Sequence, residues 1–216
     1  MPRPAGEFPV MNTVACVYFE NGQNNAVHPF SRNYTIEYVE RLYHWVKENS
    51  NCEFVCITDV ELPRKIWHIP FLQPERNYWS CLEVFGRNFG NVLSIGLDTI
   101  FNGPIDDLFR YEGQLGMLHD PNNENVSING VLRFPYRPDI WNKYVRNKDQ
   151  IQSRYKNEMA YIASFEHDFL DDIYPGQILS YKKHVLTGHD TSDARIVYFH
   201  GKPKPKDVGW KPIPTN

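Results

Sequence analysis

The residues with the clearest chemical potential lie in three separate stretches of the sequence. The first contains Asp98, a lone carboxylate within the aliphatic run at residues 92–101. The second holds Asn129 and Gly130, and the third is the His-Gly-Lys-Pro-Lys turn at residues 200–204. Carboxylate oxygens suit Mg²⁺ or Mn²⁺, imidazole is better tolerated by Mn²⁺, and lysine ammonium groups bind anions. These stretches could therefore hold an anionic ligand if the fold brings them together.

Each of these side chains has a physical reason to face a ligand. The aliphatic run predicts a buried strand that delivers Asp98 to its exposed carboxyl end, which is where ligands bind in α/β proteins. The amide of Asn129 offers both a donor and an acceptor, and Gly130 lets the backbone approach a ligand because it has no Cβ. The Gly-Pro-rich turn would present Lys202 and Lys204 to negative charge.

Strand and helix patterns alternate along the chain and predict one α/β domain. Apolar runs predict strands at residues 13–19, 53–59, 66–69, 92–101, 113–120, 126–134, 178–182 and 195–199. Apolar residues at helical spacing predict helices at residues 34–49 and 78–85 and a helical region from residue 140. The predicted domain covers residues 13–210, between a flexible leader at residues 1–12 and a frayed tail at residues 211–216.

Composition narrows the function classes. A net charge of −3 over 216 residues gives no electrostatic case for nucleic acid as the main partner. The basic stretch at residues 146–156 is expected to be a solvated helix face. No segment approaches the roughly 20 apolar residues that a membrane span needs. The four cysteines have neither zinc-site spacing nor the density of a disulfide framework, which indicates reduced thiols in a cytoplasmic protein.

Several motifs in sequence order resemble those of nucleotide-sugar glycosyltransferases of the GT-A fold, in particular family-8-like members related to glycogenin and galactosyltransferases. The matching segments are Phe-x-Cys-x-Thr-Asp at residues 54–59, Trp-Ser-x-Leu-Glu-x-Phe at 79–85, Ile-Asp-Asp-Leu-Phe at 105–109, Asn-Gly-Val at 129–131, Ser-Tyr-Lys at 180–182 and Phe-His-Gly-Lys-Pro-Lys-Pro at 199–205. The resemblance implies a GT-A, Rossmann-like fold with a mixed, mostly parallel central sheet flanked by helices. It also implies a nucleoside diphosphate sugar donor, with UDP as the expected nucleotide.

The resemblance also implies roles for individual residues. The implied nucleotide-sugar-binding residues are Tyr18, Asp59, Trp79, Gly130, Gly201, Lys202 and Lys204. The implied residues near the transferred sugar, and hence near catalysis, are Asn129, Asn157 and Glu158. Asp98 and His200 would hold Mn²⁺ or Mg²⁺, in a site that is weak or dispensable. In an inverting enzyme, Glu158 or Asp120 would be the general base.

Three residues depart from the family pattern at positions that handle the donor. Cys81, Gly96 and Asn157 stand where the family has Lys, Asp and Asp. Two hypotheses follow: an active glycosyltransferase that relies less on metal, or a degenerate GT-A protein that binds a nucleotide, glycan or protein partner without turnover. The acceptor stays open among a glycan, a protein and, in a viral enzyme acting in host cytoplasm, a modified DNA base.

Overall fold

The computed structural model describes residues 11–20 and 34–210, which form two β-sheets with helices packed against them. The described strands are β1 (Asn12–Val17), β2 (Glu53–Ile57), β3 (His68–Ile69), β4 (Asn91–Ile95), β5 (Thr99–Phe101), β6 (Gly116–Asp120), β7 (Asn123–Phe134), β8 (Asp168–Phe169), β9 (Ile178–Ser180) and β10 (Ile196–Tyr198). The described α-helices are α1 (Ile36–Asn49), α2 (Pro138–Arg146), α3 (Lys148–Arg154), α4 (Glu158–Ile162) and α5 (Leu170–Ile173). Short 3-10 helices cover Tyr78–Phe85, Asp106–Arg110 and Pro205–Val208, and Tyr181–Val185 forms one π-helical turn.

The central sheet has the strand order β3-β2-β1-β4-β7-β6-β8. Neighbouring strands are parallel except where β7 pairs antiparallel with β4 and β6. The predicted α/β class with a mixed, mostly parallel sheet is therefore confirmed. Because β1, β2 and β4 are parallel, they end at one edge, at Val17, Ile57 and Ile95. We call this the carboxyl edge.

The prediction of a single strand at residues 92–101 is wrong in one respect, because the structure divides this segment between two sheets. β4 ends at Ile95, and β5 begins at Thr99 in a second sheet with the order β5-β10-β9. The Gly96 N–H still donates to Gly130 O at 3.0 Å, whereas Asp98 O accepts from Phe199 N at 2.9 Å. The backbone hydrogen bonds thus pass from one sheet to the other, and Asp98 lies in the connection between them.

Apolar side chains form two cores on opposite faces of the central sheet. In β1, Val14 and Cys16 belong to the core that contains α1, whereas Ala15 belongs to the core that contains α2 and the 3-10 helix Tyr78–Phe85. This alternation follows from the two-residue period of a strand. Helix α1 covers its face with Val39 and Leu42, both fully buried. The cores therefore fix the sheet from both sides and hold the carboxyl edge in place.

Gly116 in β6 is expected to tolerate no larger residue. A Cβ at this position would lie 2.4 Å from Leu170 Cδ2, and Leu170 is only 1% exposed and cannot swing away. We expect Gly116→Ala to lower the free energy of unfolding by about 1–3 kcal/mol through overpacking, measured by urea denaturation. Gly103→Ala is the matched control, because its nearest neighbour would be 3.8 Å away. Equal losses in the two variants would contradict this explanation.

Some sequence predictions fall on residues outside the described part of the chain. These are the leader at residues 1–10, the loop at residues 21–23 and the tail at residues 211–216. Strand β1 begins at Asn12, one residue before the predicted domain start. Among the residues the structure describes, no helix is both long enough and apolar enough to cross a membrane.

Candidate functional site

Three distant segments meet at the carboxyl edge. The connection at residues 96–98 follows β4, and the antiparallel pairing of β7 with β4 places Gly130 beside Gly96. The hydrogen bond from Phe199 N to Asp98 O brings the end of β10, and the turn that follows it, to the same place. The topology thus assembles the three chemical stretches of the sequence around one point.

Asp98, Lys204 and Tyr34 form a buried polar triad at this point. Lys204 Nζ contacts Asp98 Oδ2 as an ion pair, and the two side chains are only 5% and 15% exposed. Tyr34 OH donates to the same oxygen at 2.7 Å and accepts from Lys204 Nζ at 2.8 Å. Burial, reinforced by the Asp98 carboxylate, raises the pKa of Tyr34, so its phenol stays protonated. The predicted convergence of Asp98 with the 200–204 turn is present, as an ion pair.

The turn that carries Lys204 adds further positive charge. Gly201 has a φ of +68°, a left-handed conformation that favours glycine, and a Cβ there would lie 3.7 Å from Lys182 Nζ. Lys182 and Lys202 are exposed, whereas Lys204 is buried. Lys204 N–H donates to Asp207 Oδ2 at 2.8 Å, which holds the backbone of the turn. A turn with several ammonium groups around it suits a phosphate-bearing ligand.

His200 lies beside this turn but faces Ser180. Its Nε2 is 2.9 Å from Ser180 Oγ. Burial and the nearby Lys182 ammonium lower the pKa of His200, so the ring is neutral at neutral pH. A neutral imidazole can act as a metal ligand or as a hydrogen-bond partner for a ligand.

The residues at the carboxyl edge do not match the ligand set of a divalent cation. Asp98 Oδ2 is occupied by Lys204 and Tyr34, and the position of a second carboxylate is taken by Gly96. Across residues 11–20 and 34–210, no three His, Cys, Asp or Glu side chains lie close enough to share a metal ion. The assignment of Asp98 and His200 to Mn²⁺ or Mg²⁺ stays a prediction.

Asn129 and Glu158 form a second polar pair near Gly130. Asn129 Nδ2 donates to Glu158 Oε1 at 3.0 Å, and this contact links β7 to the first residue of α4. Burial raises the pKa of Glu158, although the Asn129 hydrogen bond opposes the shift. Asn157 caps α4, and its Oδ1 accepts from Ala160 N at 2.9 Å. Of the three residues assigned to catalysis, two are therefore paired and the third caps a helix.

The raised pKa of Glu158 predicts a dependence of stability on pH. Above pH 4.5, the unfolded carboxyl group ionises while the folded group stays protonated until its higher pKa is reached. Stability therefore falls as pH rises through this window. We expect Glu158→Gln to remove this part of the pH dependence, so that its stability relative to wild type increases with pH in urea denaturation. The exposed Glu112→Gln is the control, and parallel curves for wild type and Glu158→Gln would refute the assignment.

Three further predicted nucleotide-binding residues lie in other contacts. Tyr18 is 1% exposed, and its hydroxyl lies 3.4 Å from Glu20 Oε1. Asp59 follows β2 at the carboxyl edge, where Arg76 Nε donates to its Oδ2 at 2.7 Å. Trp79 stacks on Tyr144 with ring centroids 5.5 Å apart, inside the second core. Of the three, Asp59 is the one with a substantially exposed side chain, at 48%.

Tyr34 and Lys182 contribute to the site but were missed among the predicted site residues. Tyr34 lies just before α1 and continues its helical pattern, so the sequence predicts only that this side chain packs against the core. Its partner Asp98 is 64 positions away, so no local spacing reveals the contact. Lys182 belongs to the Ser-Tyr-Lys segment that the resemblance singled out, and this segment was the available signal.

Comparisons with known proteins agree with this architecture. Neither a protein-family model nor a curated protein sequence matches the chain. The galactosyltransferase LgtC, solved with donor and acceptor sugar analogs, has a TM-score of 0.57 and 9% identity, over 89% of this chain and 88% of LgtC. The bifunctional glycosyltransferase WbbM has a TM-score of 0.60 and 9% identity, over 93% of this chain and 47% of WbbM.

A third solved structure extends the pattern to another glycosyltransferase. GlyE from Streptococcus pneumoniae TIGR4 has a TM-score of 0.59 and 13% identity, over 96% of this chain and 61% of GlyE. The chain thus spans less than two thirds of WbbM and of GlyE. At these identities the likeness concerns the fold. Together with the mixed central sheet, it shows that the chain has the GT-A fold of glycosyltransferases.

Proposed function

We propose that this protein transfers a sugar from a nucleoside diphosphate sugar to a hydroxyl group of an acceptor. The observation that carries the proposal is the meeting of Asp98, Gly130 and the 201–204 turn at the carboxyl edge of a GT-A fold. Ligands bind at this edge in open α/β sheets. The neighbours LgtC, WbbM and GlyE are glycosyltransferases, which supports the same class of activity here.

The diphosphate would bind at the 201–204 turn. Leaving-group departure concentrates negative charge on the diphosphate, and Lys204, Lys202 and Lys182 can stabilise that charge. Gly201 permits the left-handed backbone conformation at the start of this turn. UDP is the proposed nucleotide, and the exposed Asp59 would accept hydrogen bonds from its base or ribose.

The sugar would lie between Gly130 and the Asn129–Glu158 pair. A Cβ at Gly130 would make ordinary van der Waals contact with Tyr198 Cδ2, at 3.7 Å, so the glycine leaves a gap about the size of a methyl group between β7 and Tyr198. The Asn129 amide, held by Glu158, would direct its oxygen toward sugar hydroxyls. In an inverting reaction, the raised pKa of Glu158 would suit a general base. Asp120 is the other candidate general base, and its Oδ1 accepts from Asn122 N at 2.8 Å.

The second candidate function is binding without turnover. It is favoured by Asn157, whose side-chain oxygen caps α4, and by Gly96 and Cys81 at two further donor positions. All four cysteines are free thiols, which supports a reducing compartment such as the cytoplasm for either function. The acceptor would be a glycan, a protein or a modified DNA base.

One experiment separates the two functions. UDP-sugars and GDP-sugars are titrated with and without Mn²⁺, and donor hydrolysis is followed in the same samples. Hydrolysis or transfer at a rate proportional to protein concentration would support the enzyme. Binding without turnover across a broad donor and acceptor panel would replace it with the binding protein, and absence of any nucleotide binding would overturn both.

A further inference from the structure

The Lys204 ammonium lies where the family resemblance places a metal ion. Lys204 is 4% exposed and its Nζ contacts Asp98, the residue that would anchor the cation. An ammonium group has three N–H donors. Asp98 and Tyr34 account for two of them among the described residues, which leaves one for a ligand. The buried lysine is therefore positioned and oriented by its neighbours.

Because residue 96 is glycine, the site contains one carboxylate, Asp98, and not two. A Cβ at this position would lie 3.1 Å from Asp98 Oδ1, whereas Lys204 contacts the other carboxylate oxygen, Oδ2. A second aspartate there would place two carboxylates together, and a divalent cation could neutralise the excess negative charge. With glycine, one carboxylate faces one ammonium, and the protonated Tyr34 adds no charge. The pair is already neutral before any ion binds.

A divalent cation would meet repulsion at this point. A cation beside Asp98 would also lie beside the Lys204 ammonium, and the Coulomb repulsion between the two positive groups would cancel much of the attraction to the carboxylate. Asp98 is the carboxylate that would balance the charge of the cation, but its Oδ2 already contacts Lys204 and Tyr34. The nearby Lys182 adds a further positive charge on the side of Gly201.

We infer that the Lys204 ammonium, held by Asp98 and Tyr34, replaces the divalent cation and binds the diphosphate of the ligand directly. This inference rests on the proposed function, because it concerns the same diphosphate site. Exposed Lys182 and Lys202 would contact the outer phosphate oxygens. Binding of a diphosphate is then independent of divalent metal.

The test is isothermal titration of UDP, GDP and inorganic pyrophosphate, each in excess EDTA and in excess Mn²⁺. We expect wild type to bind at least one probe with affinities that agree within about twofold in the two conditions. Lys204→Met should lose about 10- to 100-fold in EDTA, because a charge-assisted hydrogen bond to phosphate is removed. Lys206→Met is the matched control, because Lys206 is exposed two residues further along and should bind as wild type does.

A second variant keeps the test decisive if Lys204→Met fails to fold. Gly96→Asp restores the second carboxylate, and we expect its affinity to fall in EDTA and to return with Mn²⁺, with bound Mn²⁺ visible by electron paramagnetic resonance. Binding by wild type only with Mn²⁺ would overturn the inference and leave the proposed function intact. Absence of binding to every probe in both conditions would overturn the proposed function, and the inference with it.

Discussion

Asp98→Ala is expected to lower the free energy of unfolding by about 3–5 kcal/mol, because it leaves the Lys204 ammonium buried without its counter-ion. The ammonium and the Tyr34 hydroxyl would lose the oxygen that both contact. Burial makes this loss large, since water cannot replace the carboxylate at a site where the Lys204 side chain is only 5% exposed. Urea denaturation measures the change.

A surface ion pair provides the control. Asp59 and Arg76 also form an ion pair, but their side chains are 48% and 22% exposed. Asp59→Ala is therefore expected to lose no more than about 1 kcal/mol. The double variant with Asp98→Ala and Lys204→Met should recover part of the loss, because no unpaired charge is left. A loss at Asp98 no larger than at Asp59 would show that the triad does not support the fold.

Asn129→Ala is expected to lower kcat/KM for donor turnover by about 100-fold or more. The substitution removes the amide that would bind the sugar, and loss of one positioned hydrogen-bonding group in an active site typically has an effect of this size. It also leaves Glu158 without the Asn129 hydrogen bond that opposes the rise in its pKa. Steady-state kinetics with the best donor from the titration panel measures the change.

Ser127→Ala is the matched control for Asn129→Ala. Ser127 lies two residues earlier in β7, and its Oγ is 2.7 Å from His167 Nε2 rather than from Glu158. We expect this variant to retain kcat/KM within a few-fold of wild type. If the two variants lose activity equally, the effect belongs to the strand as a whole, and the sugar is not held by Asn129.

The sheet could be predicted from the sequence because its strands have a strong local signal. The run that continues from β4 into β5 shows the limit of that signal, since its apolar composition is continuous across Gly96. What divides it is a pair of long-range hydrogen bonds, one to Gly130 and one from Phe199. Periodicity reports burial, and both halves of the run are buried, so periodicity does not reveal that they belong to different sheets.

The candidate site could be predicted in part for a similar reason. Asp98 directly precedes β5, Lys204 lies in the turn that follows β10, and the order of motifs indicated that these two segments meet. The pairing of Lys204 with Asp98 could not be predicted. It depends on Gly96 and Tyr34, which become neighbours of Asp98 only in the folded chain. For Asn157, the sequence is compatible with two roles. An asparagine directly before α4 can cap the helix or bind a sugar with the same amide group.

The late position of Lys204 in the chain has a consequence for biosynthesis. The ribosome adds Lys204 106 residues after Asp98. At about 5–20 residues per second, the carboxylate waits roughly 5–20 s for its counter-ion. During that interval β5 also lacks β10, the strand with which it pairs. The pairing of β5 with β10 and the Asp98–Lys204 ion pair can therefore form only after the chain has been synthesised as far as residue 204.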